Sequence, residues 1–307
     1  MSEWSIAPLP RGALADAKRV LEEACAFDKA HLVAEEKLFG EAAGGLPSSP
    51  LGAYVDGELV GVAAISDRWL RLLAVSPEHR ERGIGSGLLQ ACLKQIKSGN
   101  PQARTMDQPG NYLSPGIDHR NAQTIAWLQK RGFSKSGEAC NLVISLSENE
   151  RVSEQHYLRR KSAAQDAGYR IQRLEAQQVE SSAALITANF SVGWAFEMRL
   201  AAQCSPPAVH VAVHQASGEV VAFAVHDGNN RGTGSFGPAG TLESHRGQGL
   251  GAALLLACLL DIQAAGLAHA EVAWIGPRDF YDKIAGIESE RHFTIMTKDL
   301  NHEDDND

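Results

Sequence analysis

One segment of the chain occurs twice, and this duplication constrains the fold more than any other feature. Glu78–Leu93 and Ser244–Leu259 align without a gap at a constant offset of 166 residues, so that His79 aligns with His245. A period of this length, present twice, is typical of a duplicated domain and not of a solenoid. The chain of 307 residues is also long enough for two domains of ordinary size.

The segments around the two copies agree in their predicted structure. In the first half, apolar runs at 51–55 and 59–65 flank an Asp-Gly turn, which predicts a β-hairpin, and a strand at 69–75 leads into the copy. A helix, a strand, a second helix and a last strand follow. The second half repeats this order from Tyr169 onward. Hairpins combined with crossover helices predict an α/β fold around a mixed sheet in each half.

The composition shifts along the chain predict four parts. We expect an N-terminal domain at 1–147, a linker helix at 148–167, a C-terminal domain at 168–300 and a disordered acidic tail at 301–307. The linker is charged and lacks Gly and Pro, but a flexible solvated linker is the alternative interpretation.

Charge and composition exclude several classes of partner. The formal net charge is -8, which argues against a nucleic acid as the main partner. The longest apolar run, Leu250–Leu260, is too short to span a bilayer, and the first residues do not resemble a signal peptide. Five scattered cysteines and eleven histidines without metal-ligand spacing predict reduced thiols, a cytoplasmic location and no metal site.

The repeated segment reads Arg-x-x-Gly-x-Gly, starting at Arg80 and at Arg246, and each copy lies between a predicted strand and a predicted helix. The first N–H groups of a helix have no intrahelical partner, and glycine lets an anion approach them closely. An arginine adds a permanent positive charge. The pattern therefore predicts a diphosphate site in each half, whereas a turn that only permits tight strand–helix packing is the alternative. The spacing matches neither a P-loop nor the dinucleotide fingerprint.

On these motifs the chain resembles two GNAT (GCN5-related N-acetyltransferase) domains in tandem, each a mostly antiparallel mixed sheet flanked by helices. The resemblance implies acetyl-CoA as the cofactor, held by the glycine-rich turn and by the end of the preceding strand. In the first half it implies binding by Ala74, Val75, Arg80, Arg82, Gly83, Ile84, Gly85, Ser86 and Asn121. In the second half it implies binding by Gly240, Thr241, Leu242, Arg246, Gly247, Gln248, Gly249, Leu250, Gly251 and Ala252.

The two halves differ in a late segment that often reads Asn-x6-Tyr-x-Lys-x-Gly-Phe in this family, where the tyrosine acts as general acid. The first half has Leu128 at the tyrosine position, and the second half has Tyr281 there but Trp274 at the asparagine position. The resemblance therefore implies that Tyr281 is catalytic and that the C-terminal domain is the active one. A half-buried core tyrosine is the alternative interpretation of Tyr281.

The resemblance further implies transfer of an acetyl group to a small-molecule primary amine by direct attack in a ternary complex. A module that binds acetyl-CoA with one or both domains non-catalytic is the main alternative, and a protein acetyltransferase is a third. Candidate bases are Glu243, Glu271, His226 or a chain of water molecules. Residues of the first two helices of the second half are candidates for the acceptor pocket or for the core: Phe190, Trp194, Phe196, Glu197 and Arg199.

A Pro- and Gly-rich stretch of the first half, Asp107–Asp118, resembles a stretch in bacterial acetyltransferases related to the acetyltransferase-like domain of O-GlcNAcases. An ordinary loop after the fifth strand is the alternative interpretation. The sequence leaves the acceptor and the oligomeric state open.

Overall fold

The computed structural model describes residues 3–301 and contains the hairpin, strand and glycine-rich turn predicted in each half. The helices are α1 (Leu14–Ala24), α2 (Ala34–Phe39), α3 (Ile84–Lys97), α4 (Ala122–Gln129), α5 (Glu154–Asp166), α6 (Val179–Asn189), α7 (Val192–Ala202), α8 (Leu250–Ala264) and α9 (Arg278–Ala285). The strands are β1 (Trp4–Pro8), β2 (Ser49–Val55), β3 (Glu58–Ser66), β4 (Trp69–Val75), β5 (Gln102–Thr105), β6 (Ile117–Asp118), β7 (Ser134–Ser145), β8 (Tyr169–Arg173), β9 (Val209–His214), β10 (Val220–His226), β11 (Ser235–Thr241), β12 (His269–Val272) and β13 (Ser289–Asp299).

The described chain divides into two units. The first unit consists of residues 3–139 and 292–301, and the second unit consists of residues 140–291. This division differs from the boundaries at 147, 168 and 300 expected from the sequence. The end of β7 belongs to the second unit, and most of β13 belongs to the first.

Strand pairing explains this difference. In the first unit, Thr297 of β13 lies opposite Arg104 of β5. In the second unit, Val143 of β7 lies opposite Glu271 of β12. Each half of the sequence therefore supplies the last strand to the sheet of the other unit.

The two sheets have the same strand order. In the first unit the order is β1-β2-β3-β4-β5-β13, with β6 also paired to β13, and in the second unit it is β8-β9-β10-β11-β12-β7. Along each of these two orders, four of the five neighbouring strand pairs are antiparallel, and β4–β5 and β11–β12 are the parallel pairs; β6 pairs with β13 antiparallel as well. The mostly antiparallel mixed sheet is thus confirmed in both units.

Helices cover both faces of each sheet because successive side chains of a strand point in opposite directions. Val62 and Ala64 of β3 pack in a core with α1 and α2, whereas Ala63 and Ile65 pack in a core with α3 and α4. In the second unit, some side chains of β10 pack in a core with α6 and α7, and the others pack in a core with α5, α8 and α9.

The predicted linker helix exists as α5, but it is part of the second unit. Ala164 of α5 and Val152 just before it are buried in the core that contains α8. Ser153 caps the helix by accepting a hydrogen bond from the N–H of His156. The acidic tail expected at 301–307 lies, apart from Asn301, outside the described residues. Among residues 3–301, none of the helices has the length and apolar character needed to cross a bilayer.

Candidate active site

The parallel strand pair of each unit separates after a short paired stretch. In the first unit, β4 pairs with β5 at Trp69 and Leu70, and a last hydrogen bond runs from the N–H of Met106 to the carbonyl of Leu70. The rest of β4, up to Val75, pairs with β3 alone within the described residues. In the second unit, β11 separates from β12 after Phe236. Each sheet therefore has a wedge between two strands, bordered by backbone groups of β4 or of β11.

The glycine-rich turn of the first unit follows the end of this wedge. We call Arg80–Gly85 the first cradle; it connects β4 to α3 through residues that are mostly exposed. Glu81 (φ 62) and Gly83 (φ 85) have left-handed backbone conformations, and Gly83 forms the N-cap of α3. The Nε of Arg80 donates a hydrogen bond to the carbonyl of Val75 over 3.2 Å, which holds the turn against the end of the strand.

The turn of the second unit has the same geometry. We call Arg246–Gly251 the second cradle; its Gly247 (φ 79) and Gly249 (φ 75) occupy the left-handed positions. The Nε of Arg246 donates a hydrogen bond to the carbonyl of Thr241 over 3.3 Å. Because these positions match those of the first cradle at the offset of 166, the duplication extends to the backbone conformation.

Both cradles leave helix amides open toward an anion. Neither Gly83 nor Gly249 has a side chain that could cap its helix, and the first intrahelical bonds begin at the N–H groups of Gly87 and Ala253. The N–H groups of residues 84–86 and of residues 250–252 are therefore available to bind an anion. The helix dipole also favours negative charge at these positions. The exposed arginines add positive charge. This combination fits the diphosphate of a nucleotide-type cofactor.

The sequence-predicted cofactor residues at the strand ends lie where the two strands lead into the cradles. Ala74 and Val75 are buried at the end of β4, and Gly240 and Thr241 end β11 half-buried. Asn121 lies apart from the first cradle in sequence and forms the N-cap position of α4 without capping the helix by its side chain.

Tyr281 of α9 and Leu128 of α4 occupy equivalent positions in the two units. A Cβ placed on Gly85 would contact Trp127 of α4, and a Cβ placed on the equivalent Gly251 would contact Phe280 of α9. The residues that follow, Leu128 and Tyr281, therefore correspond structurally. Leu128 is 3% exposed and belongs to the apolar core, so this position of the first unit carries no acidic group.

The ring of Tyr281 lies at the point where β11 and β12 separate. Its centroid is 6.2 Å from that of Phe236, the last paired residue of β11, and 5.1 Å from that of Phe280, both in edge-to-face geometry. Burial raises the pKa of the Tyr281 hydroxyl above its usual value. A tyrosine hydroxyl is protonated at neutral pH at its usual pKa of about 10, and this shift keeps it so.

Aromatic rings of the second unit contact the strand end at the wedge. Phe190 stacks on Trp194 at 5.4 Å and packs directly against Gly240, where a Cβ would lie 2.7 Å from its ring carbons. Glu197 is buried, whereas Arg199 forms a surface ion pair with Glu180 over 2.8 Å. The structure therefore brings Phe190 to the strand end with Trp194 stacked on it, and it pairs Arg199 with Glu180 at the surface.

The candidate bases differ in their surroundings. Glu271 accepts hydrogen bonds from Asn141 over 2.6 Å and from Arg291 over 2.9 Å, so it is engaged in an ion pair. The side chain of His226 contacts Asp227 and Asp261. Glu243 lies exposed in the turn before the second cradle.

The loop at 107–118 of the first unit is a buried polar network that sequence reasoning did not anticipate. The Arg104 guanidinium forms an ion pair with Asp107 over 2.5 Å, and the indole N–H of Trp69 donates to the same carboxylate over 3.1 Å. Gln108 accepts a very short hydrogen bond from Arg71, which is 1% exposed. The only sign of this network in the sequence is the set of polar residues within the Pro- and Gly-rich stretch. Most of their hydrogen-bond partners lie far away in the sequence, so the network itself could not be predicted.

The sequence of the first unit matches a known family. Residues 47–135 match the model of the acetyltransferase (GNAT) domain. No protein with curated annotation matches the chain.

Solved structures resemble nearly the whole chain at low sequence identity. A region of a fungal multi-domain GH3 β-N-acetylglucosaminidase, described as a GCN5-related glucosamine N-acetyltransferase, is 15% identical with a TM-score of 0.75; the match covers 97% of this chain and 38% of that one. A tandem GNAT protein from the clavulanic acid biosynthesis pathway is 16% identical with a TM-score of 0.70, covering 98% and 100% of the two chains. A GCN5-related N-acetyltransferase from Sphaerobacter thermophilus is 14% identical with a TM-score of 0.64, covering 97% and 96%. Residues 47–135 are thus similar in sequence to the GNAT acetyltransferase domain, and the chain as a whole has the fold of the solved tandem GNAT structure.

Proposed function

We propose that the chain transfers the acetyl group of acetyl-CoA to a small-molecule primary amine by direct attack in a ternary complex, and that the second unit carries out the reaction. The observation that carries the proposal is the position of Tyr281, whose ring packs beside Phe236 where the two strands of the wedge separate. The equivalent residue of the first unit is Leu128, which has no proton to donate.

The two cradles and the adjoining strand ends are the proposed cofactor sites. Acetyl-CoA, when bound, supplies an acetyl group that is activated as a thioester. In the second unit, Arg246 and the open amides of residues 250–252 would hold its diphosphate, and Gly240 and Thr241 would present backbone groups to its pantetheine arm. In the first unit, Arg80 and the amides of residues 84–86 have the equivalent geometry.

Tyr281 is proposed as the general acid of the second unit. Its hydroxyl holds a proton at neutral pH, as tyrosine does at its usual pKa of about 10, and burial raises that pKa further, so the proton is present for a departing thiolate. A proton must also leave the attacking amine, and the carboxylate of Glu271 is already held in an ion pair with Arg291. Glu243 or a water chain is therefore the proposed route for that proton.

The acceptor is proposed to bind beside Phe190, which packs against the strand end at Gly240, and Trp194, which stacks on Phe190. Aromatic faces of this kind attract cationic amines through cation–π interactions. Amino sugars are a reasonable first panel, because one protein of similar fold is described as a glucosamine N-acetyltransferase.

The Tyr281→Phe variant tests this assignment. General acid catalysis typically contributes about 10²- to 10⁴-fold, so we expect kcat to fall by at least about 100-fold while the affinity for acetyl-CoA stays within a few-fold of the wild type. Acetyl transfer to a panel of amino sugars, amino acids and polyamines is the measurement. Tyr157→Phe is the matched control, because Tyr157 is another partly buried tyrosine of the same unit whose pKa is raised by burial.

The second candidate function is binding of acetyl-CoA without chemistry, and Leu128 favours it for the first unit. Turnover that is unchanged in Tyr281→Phe across the pH range would reject the proposed acid. Turnover that is lost instead in Arg80→Ala would place the reaction in the first unit.

A further inference from the structure

A cluster of polar side chains lies between α8 and the sheet of the second unit. It consists of His210 of β9, His226 of β10, Asp261 of α8 and Arg173 of β8. Asp261 follows the start of α8 by eleven residues, which corresponds to about 16 Å along the helix axis. The cluster is therefore distinct from the cradle at the beginning of that helix.

Two histidine nitrogens converge on one carboxylate oxygen. The Nε2 of His210 lies 2.7 Å from Oδ2 of Asp261, and the Nε2 of His226 lies 3.1 Å from the same atom. The possible ligand atoms of the three residues all lie within 4.8 Å of one another. Ligand atoms around a tetrahedral zinc ion with bonds of about 2.0–2.1 Å are roughly 3.3 Å apart. To hold such an ion, the two nitrogen–oxygen distances of 2.7 and 3.1 Å would have to lengthen by a few tenths of an ångström.

The surroundings orient His226 and Asp261 as metal ligands are usually oriented, whereas the Nδ1 of His210 is buried without a hydrogen-bond partner. The Nδ1 of His226 faces Oδ2 of Asp227 at 3.2 Å, and Oδ1 of Asp227 accepts a hydrogen bond from the N–H of Gly232 over 2.8 Å. A carboxylate on the second nitrogen of a histidine ligand fixes the tautomer and raises its basicity. Arg173 donates to Oδ1 of Asp261 over 2.9 Å, which fixes the plane of that carboxylate.

The donor set selects the class of ion. Two imidazoles and one carboxylate suit Zn²⁺ and similar divalent transition metals, whereas Mg²⁺ and Ca²⁺ prefer oxygen ligands only. Three protein ligands leave a fourth position for water or for an exogenous ligand. The positive charge of Arg173, which also contacts Oδ2 of Asp261 over 2.8 Å, opposes the ion and lowers the expected affinity.

We propose that His210, His226 and Asp261 form a binding site for one Zn²⁺ or similar divalent transition-metal ion in the second unit. The ion would connect α8 to β9 and β10 and so stabilise the helix that begins with the second cradle. The site is independent of the proposed acetyl transfer. Sequence spacing did not predict it, because the ligands come from three separate elements.

The test is titration of the metal-stripped full-length protein with Zn²⁺ by calorimetry, and with Co²⁺ by visible absorption. We expect one equivalent to bind, a tetrahedral Co²⁺ spectrum and a raised Tm. His210→Ala should lose at least about 100-fold in Zn²⁺ affinity, and Asp227→Asn should lose about 10- to 100-fold. His269→Ala is the matched control, because His269 is a half-exposed histidine of the same unit paired with Glu288.

Absence of binding to the wild type, or equal affinity in His210→Ala and His269→Ala, would overturn the proposal. Circular dichroism of each variant identifies any that fail to fold. Arg173→Met provides a second test that keeps all three ligands: removal of the opposing charge should tighten Zn²⁺ binding several-fold. An affinity that is unchanged or weaker in Arg173→Met, in a folded protein, would count against an ion at this position.

Discussion

The left-handed glycine at the start of α8 offers a test that separates binding from stability. Gly249 has φ 75, and a Cβ at this position would meet nothing within 4 Å. Gly249→Ala therefore introduces backbone strain of about 1–2 kcal/mol without a clash inside the protein. For a unit of this size, that strain lowers Tm by about 2–8 °C. The added methyl group would also lie among the amides proposed to hold the diphosphate, and loss of one charged hydrogen bond weakens Kd by about 10- to 150-fold.

Gly218, in the turn of the β9–β10 hairpin, is a closely matched control. It has φ 74 and equally open surroundings, so Gly218→Ala should lower Tm by a similar amount. Because this turn lies outside the cradle, the affinity for acetyl-CoA should not change. Calorimetric titration and thermal unfolding of both variants are the measurements. Equal acetyl-CoA affinity in the two variants would refute the idea that the cradle backbone binds the cofactor.

Two further predictions concern the equivalent residues of α4 and α9. Leu128→Ala should destabilise the first unit by about 2–5 kcal/mol in denaturant unfolding because it empties a core position. Leu32→Ala, at an exposed site, should change the free energy of unfolding by less than about 0.5 kcal/mol. Equal effects of the two substitutions would show that Leu128 is not a core residue. Burial raises the pKa of Tyr281 above its ordinary value of 10.0, so any loss of kcat caused by its deprotonation should occur above pH 10.0. A kcat profile that falls well below this pH in the wild type but not in Tyr281→Phe would contradict the assignment.

The cradles could be predicted from the sequence because they are local. Each cradle is built within about twenty residues from a strand, a short turn with glycines in left-handed conformations, and an apolar helix. No distant part of the chain decides its shape. The same holds for the hairpins, and β4 has the range that its apolar residues predicted. Tyr281 could be aligned with Leu128 because both follow an aromatic residue that contacts the second glycine of a cradle.

Features that depend on distant partners could not be predicted. Nothing in the residues from His292 onward indicates whether they pair with β12 or with β5, because sheet pairing depends on the partner strand as much as on the strand itself. The loop at 107–118 had the composition of an exposed turn, but Arg104 and Trp69 bind its Asp107. The cluster around Asp261 likewise combines elements that the sequence separates by dozens of residues.

The central claim is that both units hold a working cofactor cradle, and the stoichiometry of acetyl-CoA binding tests it most directly. Calorimetric titration of the full-length protein should give two equivalents per chain. Arg80→Ala should weaken one of them, and Arg246→Ala the other, each by about 10- to 150-fold in Kd. A single equivalent, or two equivalents that neither variant weakens, would contradict the account.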